Sequence, residues 1–164
     1  MAKNKEEKTN VMRVLEQKKI AYTAHTYPHE EGMAVDGVTV AKSMGFDPAI
    51  VFKTLVARGA SKQYYVFDVP VAENLDLKKA AKAVGEKSIE MIHQKELLPL
   101  TGYVHGGCSP VGMKKLFPTV FHSSAENLAA MIVSAGKIGY QVETAPQALI
   151  ALVRAGTAEL TIES

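Results

Sequence analysis

Two β-strand patterns separated by a short turn lie near the middle of the sequence and set the strongest limit on its fold. Residues 51–58 and 63–69 are rich in β-branched and aromatic side chains, and the segment 59–62 between them begins with a glycine. Such spacing is typical of two strands joined by a tight turn. The sequence therefore predicts an antiparallel hairpin, and the chain must contain a β-sheet built around it.

Helix and strand patterns interleave irregularly along the rest of the chain. Thr9 or Asn10 can cap a first helix that ends near Ile20, and Asp76 can cap a helix that Gly85 closes after residue 84. Further strands are predicted over 21–27, 119–122, 131–134, 141–144 and 158–162, further helices over 38–44, 93–98 and 146–155, a helical turn after Asp47, and a polar loop over 29–37. This order is neither a regular βαβ alternation nor a run of hairpins. We therefore expect an α/β fold of the α+β type, a mixed β-sheet with several packed helices.

The length and composition fit one globular domain over residues 1–164. A chain of 164 residues buries roughly two-thirds of its unfolded surface around a single core, so that no second domain is required. Hydrophobic residues make up 47% of the chain and charged residues 22%, which is typical of a folded protein rather than a disordered one.

Charge and apolar patterning limit the partners and the compartment. The net charge of +2 is too small for binding a long stretch of nucleic acid, so DNA is not predicted as a partner and any RNA contact must be local. Apolar stretches fall far short of the roughly 20 residues that cross a bilayer. The first residues lack the apolar segment of a secretory signal, and the single cysteine, Cys108, has no partner for an internal disulfide. We expect a cytoplasmic protein with no membrane partner.

One lysine interrupts an otherwise apolar strand. Lys53 lies between Val51 and Leu55 in the period of a β-strand, which places an ammonium group among apolar neighbours. Such a group is costly to desolvate unless it reaches water or an anion. Periodicity leaves two readings open: a strand edge where the lysine extends to solvent, or a site that faces a ligand.

A glycine-rich segment forms the second informative feature. Residues 102–112 contain four glycines and a proline, and adjacent glycines at 106 and 107 let backbone amides approach a carbonyl or a developing oxyanion. A tight structural turn explains the same composition. Cys108 and Ser109 are nucleophile types, but no general base can be assigned to them from the sequence, and a packing role for Cys108 is the simpler interpretation.

Metal and nucleotide sites are not predicted. The five histidines show neither a His-Glu-x-x-His pattern nor cysteines or carboxylates at ligand spacing. The glycine-rich segment lacks the spacing of a phosphate-binding loop. We expect no metal ion and no cofactor.

Three motifs together resemble the YbaK/EbsC family of Cys-tRNA(Pro) deacylases. They are Phe-Lys-Thr-Leu at 52–55, Gly-Gly-Cys-Ser-Pro-Val-Gly-Met-Lys-Lys at 106–115 and Val-Ser-Ala-Gly-Lys-Ile-Gly at 133–139, in the family's order and spacing. The similarity extends over nearly the whole chain, from His-Thr-Tyr at 25–27 to the last helix. It implies the fold of the editing insertion of bacterial prolyl-tRNA synthetase and hydrolysis of the ester between an amino acid and the 3′ end of a tRNA.

The resemblance also assigns site residues. Lys53 matches the family's essential lysine, which is expected to hold the phosphate and terminal adenosine of the acceptor end as a point charge. Tyr27 matches a pocket tyrosine near that end. The family's loop that faces the aminoacyl carbonyl matches Gly106, Gly107, Ser109 and Pro110. Its small-residue turn on the opposite wall of the pocket matches Ser134 and Gly136. The family is thought to use the thiol of the substrate cysteine as nucleophile, so the protein mainly positions the ester and stabilises charge.

Two departures from the family pattern leave the substrate open. A pocket phenylalanine of some members is replaced near Asp36 and Gly37, and an aspartate after the small-residue turn is replaced by Gln141. The alternatives are an editing enzyme for another small amino acid such as alanine, and a noncatalytic module that binds tRNA or a synthetase. The implied partners are the acceptor end of an aminoacylated tRNA and, by resemblance, prolyl-tRNA synthetase.

Overall fold

Two β-sheets organise the chain in the computed structural model, which describes residues 8–28, 33 and 35–162. The first sheet has five strands in the order β4-β2-β3-β5-β8, namely Ile89–Met91, Phe52–Gly59, Tyr64–Pro70, Thr119–His122 and Gly156–Ala158. The second has three strands in the order β1-β7-β6, namely Thr23–Thr26, Tyr140–Thr144 and Met131–Lys137. Five α-helices of the described residues pack against these sheets: α1 Asn10–Gln17, α2 Gly37–Ser43, α3 Leu77–Val84, α4 Gln94–Thr101 and α5 Pro146–Leu152.

The five-stranded sheet is mixed, as the sequence predicts. β2 and β3 form the expected antiparallel hairpin, and β4 pairs antiparallel with β2. β5 and β8 are parallel additions on the other side of β3. The three-stranded sheet is antiparallel and contacts the larger sheet through a bridge between Val51 and Ile132. The predicted fold class is therefore confirmed.

Apolar side chains form a layer on each face of the five-stranded sheet. One face packs toward α1, α5 and β6, with Val11, Phe121 and Leu149 fully buried there. The other face packs toward α3, and Phe67 and Val69 lie in that layer. A smaller cluster under α2 joins Ala41, Val51 and Ile132, among other residues, and fixes α2 near the beginning of β2.

Local capping chemistry sets the helix starts where the sequence places them. The side chain of Thr9 accepts a hydrogen bond from the Met12 amide, that of Asp47 from the Ala49 amide, and that of Asp76 from the amides of Lys78 and Lys79. Gly85 ends α3 in the left-handed conformation, at φ 75°. These boundaries agree with the sequence because each depends on neighbouring residues alone.

Several elements differ from the sequence prediction; for example, β6 continues to Lys137 instead of ending at residue 134. α4 continues through Pro99 to Thr101 instead of ending before the proline; the Glu96 carboxylate accepts from the His93 amide at its start, and the Thr101 hydroxyl donates to the Leu97 carbonyl at its end. α5 ends at Leu152, because Arg154 adopts φ 57°, and the last strand, β8, is earlier than predicted. β4 was not predicted, since three residues carry too short a pattern.

Two further predictions from the sequence concern the loop at 29–37 and the membrane. Most of the predicted loop lies outside the described residues, and Gly37 begins α2 rather than ending the loop. Among the described residues, none of the helices is both long enough and apolar enough to cross a bilayer.

Candidate active site

A cavity of about 430 Å³ opens where the beginning of β2, the first turn of α2, the glycine-rich segment and the three-stranded sheet meet. Four successive residues of β2, at 52–55, contribute to its wall, so the cavity runs along the end of the strand rather than over one face of the sheet. Of the residues predicted from the sequence, Lys53, Tyr27, Gly106 and Ser134 line it. Chain segments far apart in sequence are thus brought to one hollow.

Lys53 is the cationic group of this wall. Its side chain is partly buried, and burial lowers its pKa from the ordinary lysine value, while the charge of Asp36 acts in the opposite direction. Within residues 8–28, 33 and 35–162, no carboxylate lies at ion-pair distance from Lys53. Of the two readings of this lysine, the ligand-facing one agrees with its position in the cavity wall.

Tyr27 and Ser134 come from the smaller sheet. Tyr27 directly follows β1, and its amide donates to the Gly139 carbonyl at 2.9 Å, which holds the end of β1 against the turn between β6 and β7. The Ser134 hydroxyl oxygen accepts from the Gly136 amide at 3.0 Å and thereby fixes the bend at the end of β6. The backbone of Tyr27 and the side chain of Ser134 are thus held by local hydrogen bonds, and both residues line the cavity.

Backbone amides of the glycine-rich segment differ in their availability. The Gly107 amide donates to the Val104 carbonyl at 2.9 Å, which closes a turn. The amides of Gly106 and Cys108, both residues of the cavity wall, make no hydrogen bond within the described part of the chain. Unpaired amides beside a cavity can stabilise a carbonyl oxygen or an oxyanion. Two residues of the wall thus have amides without a partner in the described chain, and donation by these amides to a substrate stays a prediction.

The other predicted site residues lie behind the wall. Ser109 is fully buried and accepts from the Val111 amide through its hydroxyl oxygen, and Pro110 is buried beside it. Gly136, at φ 94°, leaves only 2.9 Å between an added Cβ and the ring of Tyr103. Gly107 packs on the backbone of residues 137–138. Direct contact of these four residues with a substrate stays a prediction; their observed contacts shape the wall.

Cys108 has the properties of a packing residue. The thiol is buried, and burial raises its pKa to about 12, with a smaller contribution from the charge of Asp68. It therefore remains a neutral thiol at physiological pH and is a poor nucleophile. Among the described residues, no group of three or more His, Cys, Asp or Glu side chains is arranged to hold a metal ion.

One pair of residues beside the cavity was not found from the sequence. The Thr54 hydroxyl, in the cavity wall, donates to Oδ1 of Asp68 at 2.6 Å. Asp68 is completely buried, and its Oδ2 has no hydrogen-bond partner in the part of the chain that the structure describes. Burial raises its pKa to about 7, although the Thr54 hydrogen bond acts to lower it. The sequence feature that could have indicated this pair is the single carboxylate in the apolar run Tyr-Tyr-Val-Phe-Asp-Val.

Both departures from the family pattern also lie in the wall. Gly37 lets α2 approach the residue that follows β3, because an added Cβ would lie 2.8 Å from Cγ1 of Val71. Gln141 is largely buried, and its Oε1 has no partner among the described residues. These two positions therefore help to determine the shape and polarity of the cavity.

Comparisons with known proteins agree on one family. The profile of the family described as "Aminoacyl-tRNA editing domain" matches residues 29–152. An Enterococcus faecalis (strain ATCC 700802 / V583) protein that carries the provisional name Cys-tRNA(Pro)/Cys-tRNA(Cys) deacylase EbsC is 46% identical over 162 residues, 98% of each chain.

Solved structures share the fold at lower sequence identity. One, provisionally described as a trans-editing enzyme for prolyl tRNA synthetase, superposes with a TM-score of 0.78 at 24% identity, covering 93% of this chain and 95% of the other. The hypothetical protein APE2540 gives a TM-score of 0.82 at 18% identity, covering 93% and 99%. At these identities the likeness concerns the fold.

Proposed function

The chain belongs to the aminoacyl-tRNA editing domain family, and from this premise we propose that it is a free-standing deacylase that hydrolyses the ester of Cys-tRNA(Pro). The family resemblance found in the sequence is confirmed by the family profile and by the 46% identical relative. That relative's name also contains Cys-tRNA(Cys), which makes it the second substrate to test. The implied activity is that of an aminoacyl-tRNA hydrolase.

The observation that carries the proposal is the position of Lys53 in a cavity whose wall also contains unpaired amides. A partly desolvated ammonium without a carboxylate at ion-pair distance in the described chain is suited to an anion from outside. A tRNA acceptor end supplies phosphates beside the terminal adenosine. Binding such an anion would raise the pKa of Lys53 toward its ordinary value, so affinity and charge state favour each other.

The amides of Gly106 and Cys108 supply the second part of the mechanism. As the ester carbonyl is attacked, its oxygen gains negative charge, and fixed backbone donors stabilise that charge without reorganisation. Gly107, between them, keeps the loop close to the 137–138 backbone, where a larger residue would not fit. The buried, protonated thiol of Cys108 leaves the nucleophile to the thiol of the substrate cysteine. Its sulfur bonds to the ester carbonyl carbon, the bond to the tRNA oxygen breaks, that oxygen takes up the thiol proton, and water then opens the cyclic thioester to free cysteine.

A cavity of about 430 Å³ is large enough for a cysteinyl group together with part of the terminal nucleotide, so its volume alone does not select the amino acid. Size alone separates related small amino acids weakly, because one methylene in a pocket changes the free energy by only about 1–3 kcal/mol. Gln141 and Gly37, both in the wall, are the positions at which this chain's preference among small amino acids would be set. Cysteine is proposed as the preferred substrate. Alanine is the alternative, and because it lacks a thiol its release would require a nucleophile other than the substrate's own side chain.

Partners and compartment follow as proposals. The acceptor end of an aminoacylated tRNA is the substrate. Prolyl-tRNA synthetase is proposed as a partner that delivers the tRNA, supported by the solved structure provisionally described as its trans-editing enzyme. The cytoplasm, where translation occurs, is the proposed location.

The test is a panel of charged tRNAs incubated with the purified chain. tRNA(Pro) carrying cysteine, alanine or proline and tRNA(Cys) carrying cysteine are compared by initial rates of amino-acid release. We expect release of cysteine to be fastest and proline to be spared. Binding of the tRNA with no ester cleavage at enzyme excess would support the noncatalytic module instead, and faster release of alanine would support a different editing substrate.

A further inference from the structure

We propose that Asp68 is a positioning residue of the reaction, which sets whether the Thr54 hydroxyl offers the cavity a hydrogen-bond acceptor or a donor. This inference rests on the proposed deacylase function, because its effect is on the aminoacyl group in the cavity. It adds a role for two residues that the sequence motifs do not assign.

The geometry places Asp68 directly behind Thr54. The two residues are opposite each other in the β2–β3 ladder, so their side chains point to the same face, and Thr54 Oγ1 lies 2.6 Å from Asp68 Oδ1. Thr54 reaches the cavity, whereas Asp68 is completely buried. Asp68 itself does not line the cavity, and its hydrogen-bonded link to the cavity is the Thr54 hydroxyl.

A purely structural role explains this pair poorly. The hairpin register is already fixed by backbone pairing from Phe52 with Pro70 to Arg58 with Tyr64. A buried carboxyl whose second oxygen has no partner in the described chain is costly, and an apolar residue of similar size would avoid that cost. Because the buried carboxyl of Asp68 lowers stability and lies next to the cavity, a role in the function of the cavity explains it better than a structural role does.

The protonation state of Asp68 determines the polarity of Thr54. An ionised carboxylate only accepts hydrogen bonds, so Thr54 must donate its single hydrogen to Asp68 and present its lone pairs to the cavity. In that state Thr54 accepts from a donor of the aminoacyl group, which for cysteine is its thiol or its α-ammonium. When Asp68 is protonated it can donate to Thr54 instead, and the Thr54 hydrogen is free to turn toward the cavity.

The residues around Asp68 bring its change of protonation into the neutral pH range. Burial raises the pKa of Asp68 to about 7. The titratable group that faces it from the glycine-rich segment is the Cys108 thiol, and Tyr103 lies beyond; burial raises both of their pKa values to about 12, so neither changes charge near neutrality. β5 presents Phe121 at the register of Asp68, and the neighbouring Lys53 extends to the other face of β2.

The first test is the pH profile of kcat/KM for Cys-tRNA(Pro) between about pH 5.5 and 8.5. We expect the wild-type rate to fall below pH 7 as Asp68 gains its proton. Asp68→Asn, which carries no titrating group, should be about tenfold slower at pH 8 and should lack the wild-type acid limb that has its midpoint near 7. Thr54→Val should behave likewise, and Thr54→Ser, which retains the hydroxyl, should keep the wild-type profile.

The comparison separates this inference from the proposed function. Ionisation of the substrate affects every variant equally, so an acid limb that persists unchanged in Asp68→Asn belongs to the substrate and would overturn the role of Asp68 while leaving the deacylase intact. Wild-type protein that cleaves no aminoacyl-tRNA would overturn the proposed function itself.

A second measurement does not depend on activity. The carboxyl ¹³C resonance of Asp68, assigned by its loss in Asp68→Asn, should titrate with a midpoint near 7 in the free protein. A midpoint near 4, the ordinary value for aspartate, would overturn the inference, because Thr54 would then keep one polarity throughout the working range.

Discussion

Gly107 lies directly against Ile138: a Cβ added to Gly107 would stand 3.0 Å from the Ile138 amide nitrogen and 3.2 Å from Cα of Lys137. Backbone atoms of a paired strand end cannot move aside as a flexible side chain can. The glycine-rich segment is thereby held against the turn between β6 and β7, which keeps the Gly106 and Cys108 amides at the cavity wall.

Gly107→Ala should therefore displace the loop and reduce deacylation. We expect a loss of about 1–3 kcal/mol in the free energy of unfolding, typical of a substitution that adds volume to a packed site, together with a lower kcat. Gly156→Ala is the matched control, because an added Cβ at Gly156 meets nothing within 4 Å. Equal melting temperatures and rates for both variants would show that the close approach is unimportant.

The stability of the protein should depend on pH through Asp68. Its pKa is raised from 3.8 to about 7 in the folded state, so the folded protein binds the proton more tightly than the unfolded one. The resulting stabilisation is complete below pH 3.8 and is lost as the pH rises toward 7. Relative to Asp68→Asn, the wild type should lose roughly 2–3 kcal/mol between pH 5 and pH 8.

Denaturant unfolding of both proteins at the two pH values measures this difference. Asn is matched to Asp in shape and does not titrate, so other groups cancel in the comparison. A wild-type curve parallel to that of the variant across the range would mean that Asp68 keeps an ordinary pKa.

Cys108 should be nearly inert toward alkylating reagents in the folded protein. With a pKa of about 12 the thiolate is scarce near neutral pH, and burial restricts access. We expect alkylation by iodoacetamide at pH 8, followed by mass spectrometry, to be at least about 100-fold slower in native protein than in denaturant. Comparable rates in the two conditions would indicate an exposed, activated thiol and would reopen the nucleophile interpretation.

Features that depend on neighbouring residues were predictable from the sequence. The caps at Thr9, Asp47 and Asp76 and the hairpin of β2 and β3 all follow from local chemistry. The parallel placement of β5 and β8 beside β3 was not predictable, because it depends on packing between distant segments. α4 also continues past the local stop signal of Pro99, with hydrogen bonds from the His93 amide to Glu96 and from the Thr101 hydroxyl to Leu97 at its two ends.

The site was predictable only in part for the same reason. Lys53 and Asp68 have the same sequence pattern, a single charged residue in an apolar strand. In the fold, however, Lys53 lines the cavity, whereas Asp68 is fully buried next to Thr54. Family motifs pointed to the first and not to the second. Likewise the motif glycines and Ser109 all belong to the wall region, but which of them face the cavity and which support it is decided by the fold.

Lys53→Ala tests the central claim most directly, measured as the initial rate of cysteine release from Cys-tRNA(Pro). Lys78→Ala, an exposed lysine on α3 outside the cavity, is the charge-matched control, and thermal melting verifies that each variant is folded. We predict that Lys53→Ala loses about 100-fold or more of the wild-type rate while Lys78→Ala retains it. Folded Lys53→Ala protein that releases cysteine within a few-fold of the wild-type rate would contradict the account.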